Sequence, residues 1–272
     1  MDVSIVVCTY GRLDGLKRLV SSVRREFSKV NFEIVVVASD ALDSEKCFWA
    51  SEQPDLVLLC LADRAPGKKR AQSLYYYENL GIQKASGDWI FITNDDSEFD
   101  IGTVDCFLEM ANEHDVLVLP AELDDSSLGK RAPVIGHLTE NGKRVELVLL
   151  DFAFIKSSIL ETIGPSDENL DWYGAGVDRA IRVALLPDSR VGILSSGGLT
   201  HHLDLENRTP PHSYLDLKYL DDKWGSFAES RKGLEIDFGS KLKSRILPLF
   251  WYTKVWPSLA LIRRRIAGNL GH

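Results

Sequence analysis

The four cysteines of this 272-residue chain, Cys8, Cys47, Cys60 and Cys106, are scattered, and Cys8 and Cys60 lie within apolar, strand-like runs. Zinc sites and disulfide frameworks need paired spacings, so neither is indicated and the thiols are expected to be reduced. No apolar run is long enough to span a bilayer. The first strand-like segment begins almost at Met1, which leaves no room for a signal peptide and points to a cytoplasmic protein. The common phosphate cradles are missing as well. Cys8-Thr9-Tyr10-Gly11-Arg12-Leu13-Asp14-Gly15 is neither the glycine fingerprint of dinucleotide folds nor a P-loop, so a glycine-built NAD or ATP site is unsupported. No acidic residue follows Asp237, while Lys241, Lys243, Arg245, Lys254, Arg263, Arg264 and Arg265 do.

With a formal net charge of −8, the chain is a poor general binder of nucleic acid. The basic tail is therefore a local feature, suited to an anionic surface or an acidic partner. Hydrophobic content of 44% and charged content of 26% are those of an ordinary globular protein.

Along the chain, strand-like and helix-like segments alternate. Val3 to Cys8 is a β-branched run, followed by Leu13, Leu16, Leu19, Val23 and Phe27 at helical spacing. Glu33 to Ala38 is a second strand, Asp43 to Ser51 a short helical stretch and Leu56 to Leu61 a third strand. Pro66-Gly67 opens a helix carrying Ala71, Leu74, Tyr75, Ile82 and Ala85 on one face, with Tyr75-Tyr76-Tyr77 read as helix packing. Trp89 to Thr93 is then apolar or β-branched throughout and stops on Asn94-Asp95-Asp96. Such a rhythm implies an α/β fold with a mainly parallel sheet, whose ligands sit beyond the carboxyl ends of the strands. Asp95 and Asp96 lie where a site belongs, and hard oxygen ligands there suit Mg²⁺ or Mn²⁺ holding a diphosphate. A turn with a helix cap is the structural alternative.

Further on, Val116 to Pro120 is a strand, Leu123 to Asn141 an irregular polar region, and Val145 to Ile155 a strand region. Val191 to Leu194 precedes Ser195-Ser196-Gly197-Gly198 and Thr200-His201-His202. Tyr214, Leu217, Leu220 and Trp224 suggest a helix. In residues 245–269, Leu247, Phe250, Trp251, Trp256, Leu259 and Ile262 are interleaved with basic residues, and Pro248 and Pro257 divide the stretch into short helices. Such a segment suits an anionic membrane surface, the protein body or a second subunit.

Three ordered stretches resemble the nucleotide-binding half of family 2 glycosyltransferases, of GT-A fold: Val3 to Arg12, Glu33 to Asp40, and Gly81-Ile-Gln-Lys-Ala-Ser-Gly-Asp-Trp-Ile-Phe-Ile-Thr-Asn-Asp-Asp96. The resemblance implies a GT-A domain over 1–237, with a nucleotide-sugar half at 1–100 and an acceptor half at 101–237, and a C-terminal extension at 238–272. It implies a nucleoside diphosphate sugar donor, UDP-linked as the commonest case, held by Thr9, Tyr10, Arg12, Asp40, Arg64 and Asp95. Asp96 corresponds to the metal ligand of the family's Asp-x-Asp, with Asn94 in place of the first Asp, and His201 completes the Mn²⁺ or Mg²⁺ site. Asn169 to Arg182 resembles the acceptor-side motif, in which a Glu-Asp pair precedes a helix. Here that pair reads Val177-Asp178, so Asp178 is the expected general base of an inverting transfer, with Trp172 and Tyr173 as acceptor platforms. The acceptor implied is a saccharide or lipid-linked saccharide hydroxyl, reached at the inner face of a membrane if the enzyme is peripheral. Two alternatives remain: a nucleotide- or carbohydrate-binding protein without activity, which Asn94 and Val177 leave open, and a sugar nucleotidyltransferase, whose Gly-rich, Arg-containing loop Thr9-Tyr10-Gly11-Arg12 does not match.

Overall fold

The computed structural model describes residues 1–9, 12–39, 55–61, 74–123, 134–170, 174–202 and 210–238. Strand β1 (Asp2–Thr9), helix α1 (Leu13–Glu26), β2 (Asn31–Ser39), β3 (Leu56–Leu61), α2 (Leu74–Lys84) and β4 (Trp89–Asn94) form the first half. The second contains β5 (Ser97–Phe99), α3 (Thr103–Met110), β6 (Val116–Val118), β7 (Ala121–Leu123), β8 (Val134–Glu140), β9 (Lys143–Val148) and β10 (Ala153–Lys156). It continues through α4 (Ser157–Ile163), α5 (Ala175–Ala184), β11 (Val191–Ile193), β12 (Leu199–His201), α6 (Pro210–Ser230) and β13 (Leu234–Phe238).

Seven strands make the central sheet in the order β11-β6-β10-β4-β1-β2-β3. All neighbours are parallel except β10, which runs against both β4 and β6. The two sequence halves thus share one sheet. Side-chain alternation divides the core between its faces. Val3, Ile5, Val7, Trp89 and Phe91 point to the layer of α1 and α3, meeting Leu16, Leu19, Val104 and Phe107. Val6, Ile90 and Ile92 point to the other layer, with Tyr75, Leu160, Ile181 and Leu220. A sheet covered on both faces explains why these strands are apolar throughout.

Two small sheets decorate this frame, β5-β12-β7 and β13-β8-β9. They correct two expectations. Leu123 to Asn141 is not irregular throughout, because β8 lies within it and forms a hairpin with β9 through Asn141-Gly142. Those residues adopt φ of 49° and 80°, the left-handed pair that an Asn-Gly hairpin turn requires. Nor is Val145 to Ile155 one strand region: β9 belongs to the small sheet and β10 to the large one, with residues 149–152 passing between them. The expected helix at 43–51, the region 124–133 and the basic tail lie outside the described residues. Among those described, no helix is long and apolar enough to cross a membrane.

Candidate active site

The acidic end of β4 forms a site together with the end of β1. Thr9 is the last residue of β1, next to β4 in the sheet, and its hydroxyl donates to Asp95 Oδ2 at 2.6 Å. Arg12, just before α1, spreads its guanidinium over both carboxylates: Nη2 lies 2.7 Å from Asp95 Oδ1 and Nη1 donates to Asp96 Oδ2 at 3.1 Å. Asp95 is fully buried, whereas Arg12 remains 42% exposed. Helix α1 reaches this turn closely. A Cβ on Gly15 would lie 2.5 Å from the Asp95 carbonyl oxygen, so only glycine lets the helix start sit there.

His201 arrives from β12, which pairs antiparallel with β5 so that His201 is opposite Ser97. His202 N–H donates to the Asp96 carbonyl at 2.7 Å and closes the approach. The imidazole Nε2 of His201 stands 3.1 Å from Asp96 Oδ1, while His202 Nε2 faces Glu98 at 3.2 Å. Burial pushes the Asp96 carboxyl up, but His201 and then Arg12 outweigh it and hold the group below its ordinary value. Asp96 is consequently ionised at neutral pH.

Asp178 departs from expectation. It lies in the first turn of α5 and is completely buried. Lys223 Nζ and Trp224 Nε1, both from α6, donate to its Oδ1 at 2.7 and 3.0 Å. Arg182, one turn along α5, pairs with Oδ2 at 2.8 Å and also donates to the carbonyls of Ile163, Gly164 and Pro165. A cavity of about 360 Å³ opens here, lined by Ser166, Asp167, Glu168, Asp178, Arg182 and Lys223. Thr9, Asp95, Asp96 and His201 do not line it. Held by two donors from α6 and paired with Arg182, Asp178 joins α5 to α6 and lines a cavity that Asp96 does not share, which weighs against the expected role of base.

Another carboxylate does reach solvent. Asp151, in the passage from β9 to β10, is exposed, yet protein stands densely around its carboxyl. That crowding pushes its carboxyl up; Arg179 pulls it down, Glu78 raises it, and His201 and the Gly176 N–H lower it, leaving it above its ordinary value. Sequence reasoning missed Asp151 because it was absorbed into one long strand. The signal was present as a single acid in the apolar run Leu149 to Ile155.

Neither a protein-family model nor a curated protein matches the sequence. Solved structures do match. S. aureus TarS 1-349 superposes with a TM-score of 0.61 at 14% identity over 94% of this chain and 73% of that one. TarS 1-349 in complex with UDP-GlcNAc gives 0.64 at 14% identity over 93% and 73%. A longer TarS structure gives 0.61 at 16% identity over 82% of this chain, which spans 39% of its length. The fold is that of a GT-A glycosyltransferase. At these identities the likeness establishes the fold alone, and the chemistry of this GT-A domain has to be read from its own side chains. Those brought together are Thr9, Arg12, Asp95, Asp96 and His201. Tyr10, Asp40, Arg64, Trp172 and Tyr173 lie outside the described residues.

Proposed function

We propose that this chain is a glycosyltransferase that moves a sugar from a nucleoside diphosphate sugar, UDP-linked by preference, to a saccharide or lipid-linked saccharide hydroxyl with inversion. The observation that carries the reading is the convergence of Thr9, Arg12, Asp95, Asp96 and His201 at the carboxyl edge of β1 and β4. That edge is where α/β sheets bind their ligands. TarS, of the same fold, has been crystallised with UDP-GlcNAc and with UDP.

Mn²⁺ or Mg²⁺ fits this donor set. Two ligand atoms at right angles on an octahedral ion, each at about 2.0–2.2 Å, are about 3 Å apart. Asp96 Oδ1 and His201 Nε2 are separated by 3.1 Å, and a carboxylate with a neutral imidazole suits Mn²⁺. No cluster of three His, Cys, Asp or Glu able to hold a metal occurs among the described residues, so the diphosphate and water would supply the other ligands. A bound ion supplies positive charge against the departing diphosphate. Arg12, on the opposite oxygen of Asp96, adds a positive charge at the same place. Thr9 fixes Asp95, and Asp95 in turn orients Arg12.

The test is release of nucleoside diphosphate from UDP-, GDP- and dTDP-sugars, with and without Mn²⁺, over a panel of saccharide acceptors. Release with one nucleotide series, dependent on Mn²⁺, is the expected result. Binding without release would favour the non-catalytic reading. No binding of any of the three nucleotides would end the proposal. A peripheral membrane role for 245–269 is tested by liposome sedimentation; equal binding by a chain truncated before Arg245 would remove it.

A further inference from the structure

We propose that Asp151 is the general base of this transfer, an inference that rests on the functional reading above and adds to it the group that takes the acceptor's proton. Four observations support it.

The first is position. Strand β10 runs against β4 with Phe154 opposite Phe91 and Ile155 opposite Ile90. Asp151 lies two residues before β10, at the end of that strand that meets the carboxyl end of β4, and it is close enough to His201 for the imidazole to act on its carboxyl. Asp151 therefore lies on the edge that carries Asp95 and Asp96. Its neighbour Phe152 presents its ring to the His201 ring, edge to face, with centroids 5.3 Å apart.

The second is a vacancy that only Asp151 explains. Helix α5 begins with Ala175-Gly176 directly beside it. A Cβ on Gly176 would lie 2.0 Å from Asp151 Oδ1 and 2.8 Å from its Cγ. The backbone of Gly176 is not left-handed, so its conformation does not call for glycine. The space does: the Asp151 carboxylate, together with the Asp151 backbone nitrogen at 2.8 Å, stands in the volume that a side chain at 176 would need.

The third is fixation. Leu150 N–H donates to the Gly176 carbonyl at 3.3 Å. Arg179 Nη1 donates to the Leu150 carbonyl at 3.1 Å, while its Nη2 is held by Glu78 at 3.0 and 3.1 Å. This buried pair clamps the residue immediately before Asp151, as a proton acceptor that must meet a defined hydroxyl requires.

The fourth is contrast with other described carboxylates near this edge. Asp95 is sealed between Thr9 and Arg12, Asp96 is engaged by His201 and Arg12, Glu98 faces His202 and Asp100 accepts from Thr200. Asp151 is exposed.

In the step, a lone pair of the acceptor oxygen forms the new bond to the anomeric carbon. The bond from that carbon to the diphosphate oxygen breaks, and its electron pair leaves with the nucleoside diphosphate. The acceptor's proton passes to an Asp151 carboxylate oxygen and then to solvent. Attack from the side opposite the leaving group inverts the anomeric centre.

A carboxylate beside the start of α5 has an ordinary structural role as well, that of a helix cap, and the test separates the two. Asn caps helices about as well as Asp but accepts no proton. Full-length wild type and Asp151→Asn are compared for UDP, GDP and dTDP binding with Mn²⁺ by calorimetry, for melting temperature, and for nucleoside diphosphate release from the corresponding sugars. Asp151→Asn is expected to keep nucleotide affinity within about threefold and to lose roughly 10²- to 10⁴-fold in kcat. If Asp151→Asn retains kcat within a few-fold, Asp151 is a cap and the inference fails while the transferase reading stands. If it loses affinity and melting temperature together, Asp151→Glu decides: restored folding with kcat at the wild-type level also overturns the role, because a base displaced by a methylene loses alignment. If the wild type binds nucleotide without turning over any sugar, or binds none, the functional reading fails and takes the base with it.

Discussion

Replacing Asp178 distinguishes a strut from a catalyst. Asp178→Ala removes the acceptor of the Trp224 indole N–H and of Lys223, and the partner of Arg182. Breaking a buried ion pair by deleting one partner costs roughly 3–5 kcal/mol when the other charge is orphaned. Here the cations are not orphaned, since Lys223 keeps Asp167 at 2.7 Å and Arg182 keeps three carbonyls. The stranded group is the indole N–H, at about 1–3 kcal/mol. With the lost pair and the vacated volume, about 3 kcal/mol is the expected loss, near the lower end of the ion-pair range. A domain of this size shifts by about 2–4 °C per kcal/mol, so the melting temperature should fall by about 6–12 °C. Asp178→Asn keeps an oxygen for Trp224 and should lose about half as much. Differential scanning fluorimetry and urea titration give the stability, and nucleotide release below the transition gives turnover by the folded fraction. A variant that melts with the wild type but has lost turnover would refute the structural assignment and return Asp178 to the reaction.

His201→Ala should raise the Mn²⁺ concentration for half-maximal activity by at least 10-fold, by analogy with losses seen even for outer-shell ligand partners, and His202→Ala much less; an activity titration with Mn²⁺ compares them. Gly15→Ala gains up to about 1 kcal/mol of helix propensity but drives a methyl to 2.5 Å from the Asp95 carbonyl, and overpacking against backbone costs about 1–3 kcal/mol. The expected net effect is a lower unfolding midpoint together with weaker nucleotide binding, both read by thermal shift with and without UDP and Mn²⁺. Asp167 is pushed up by burial but pulled down further by Lys223, the Asn169 N–H and Tyr219, to about 2. A carboxyl depressed in the folded chain contributes stability above its unfolded value, about 3.9, and loses it as pH falls through the folded one. The stability difference between wild type and Asp167→Asn should therefore be level above pH ~5 and shrink toward pH ~2, as followed by urea unfolding across that range.

Much of the frame was legible because the signals were local. Leu56 to Leu61 is a strand with the bounds read from its composition, and β4 differs from its expected range only by including Asn94. Apolar runs that meet protein on both faces declare themselves in one dimension. The hairpin of β8 and β9 also had a local signal, Asn141-Gly142 between alternating residues, but the polar surroundings of Asp124-Asp125 and Pro133 obscured it. Asp95 and Asp96 stood out as acids ending a buried strand, whereas Thr9 and His201 were named through a resemblance. What composition cannot supply is which of two acids faces water. Asp178 at a helix start after glycine looks reachable in sequence, and its burial depends on Lys223 and Trp224, 45 and 46 positions away.

The same limit governs the direction of a strand. An acid that follows a strand marks the binding edge only if the strand is parallel to its neighbours; an acid that precedes one marks that edge if the strand is reversed. Asp95 and Asp96 belong to the first case and Asp151 to the second, because β10 is the one strand of the large sheet that opposes its neighbours. Reversal has a chemical consequence. It lets the second half of the chain deliver a carboxylate to the edge already occupied by the first half's acids. Helix α5 can then start beside that carboxylate without a side chain at Gly176, and Asp178, two residues further on, is free to be spent on holding α5 to α6.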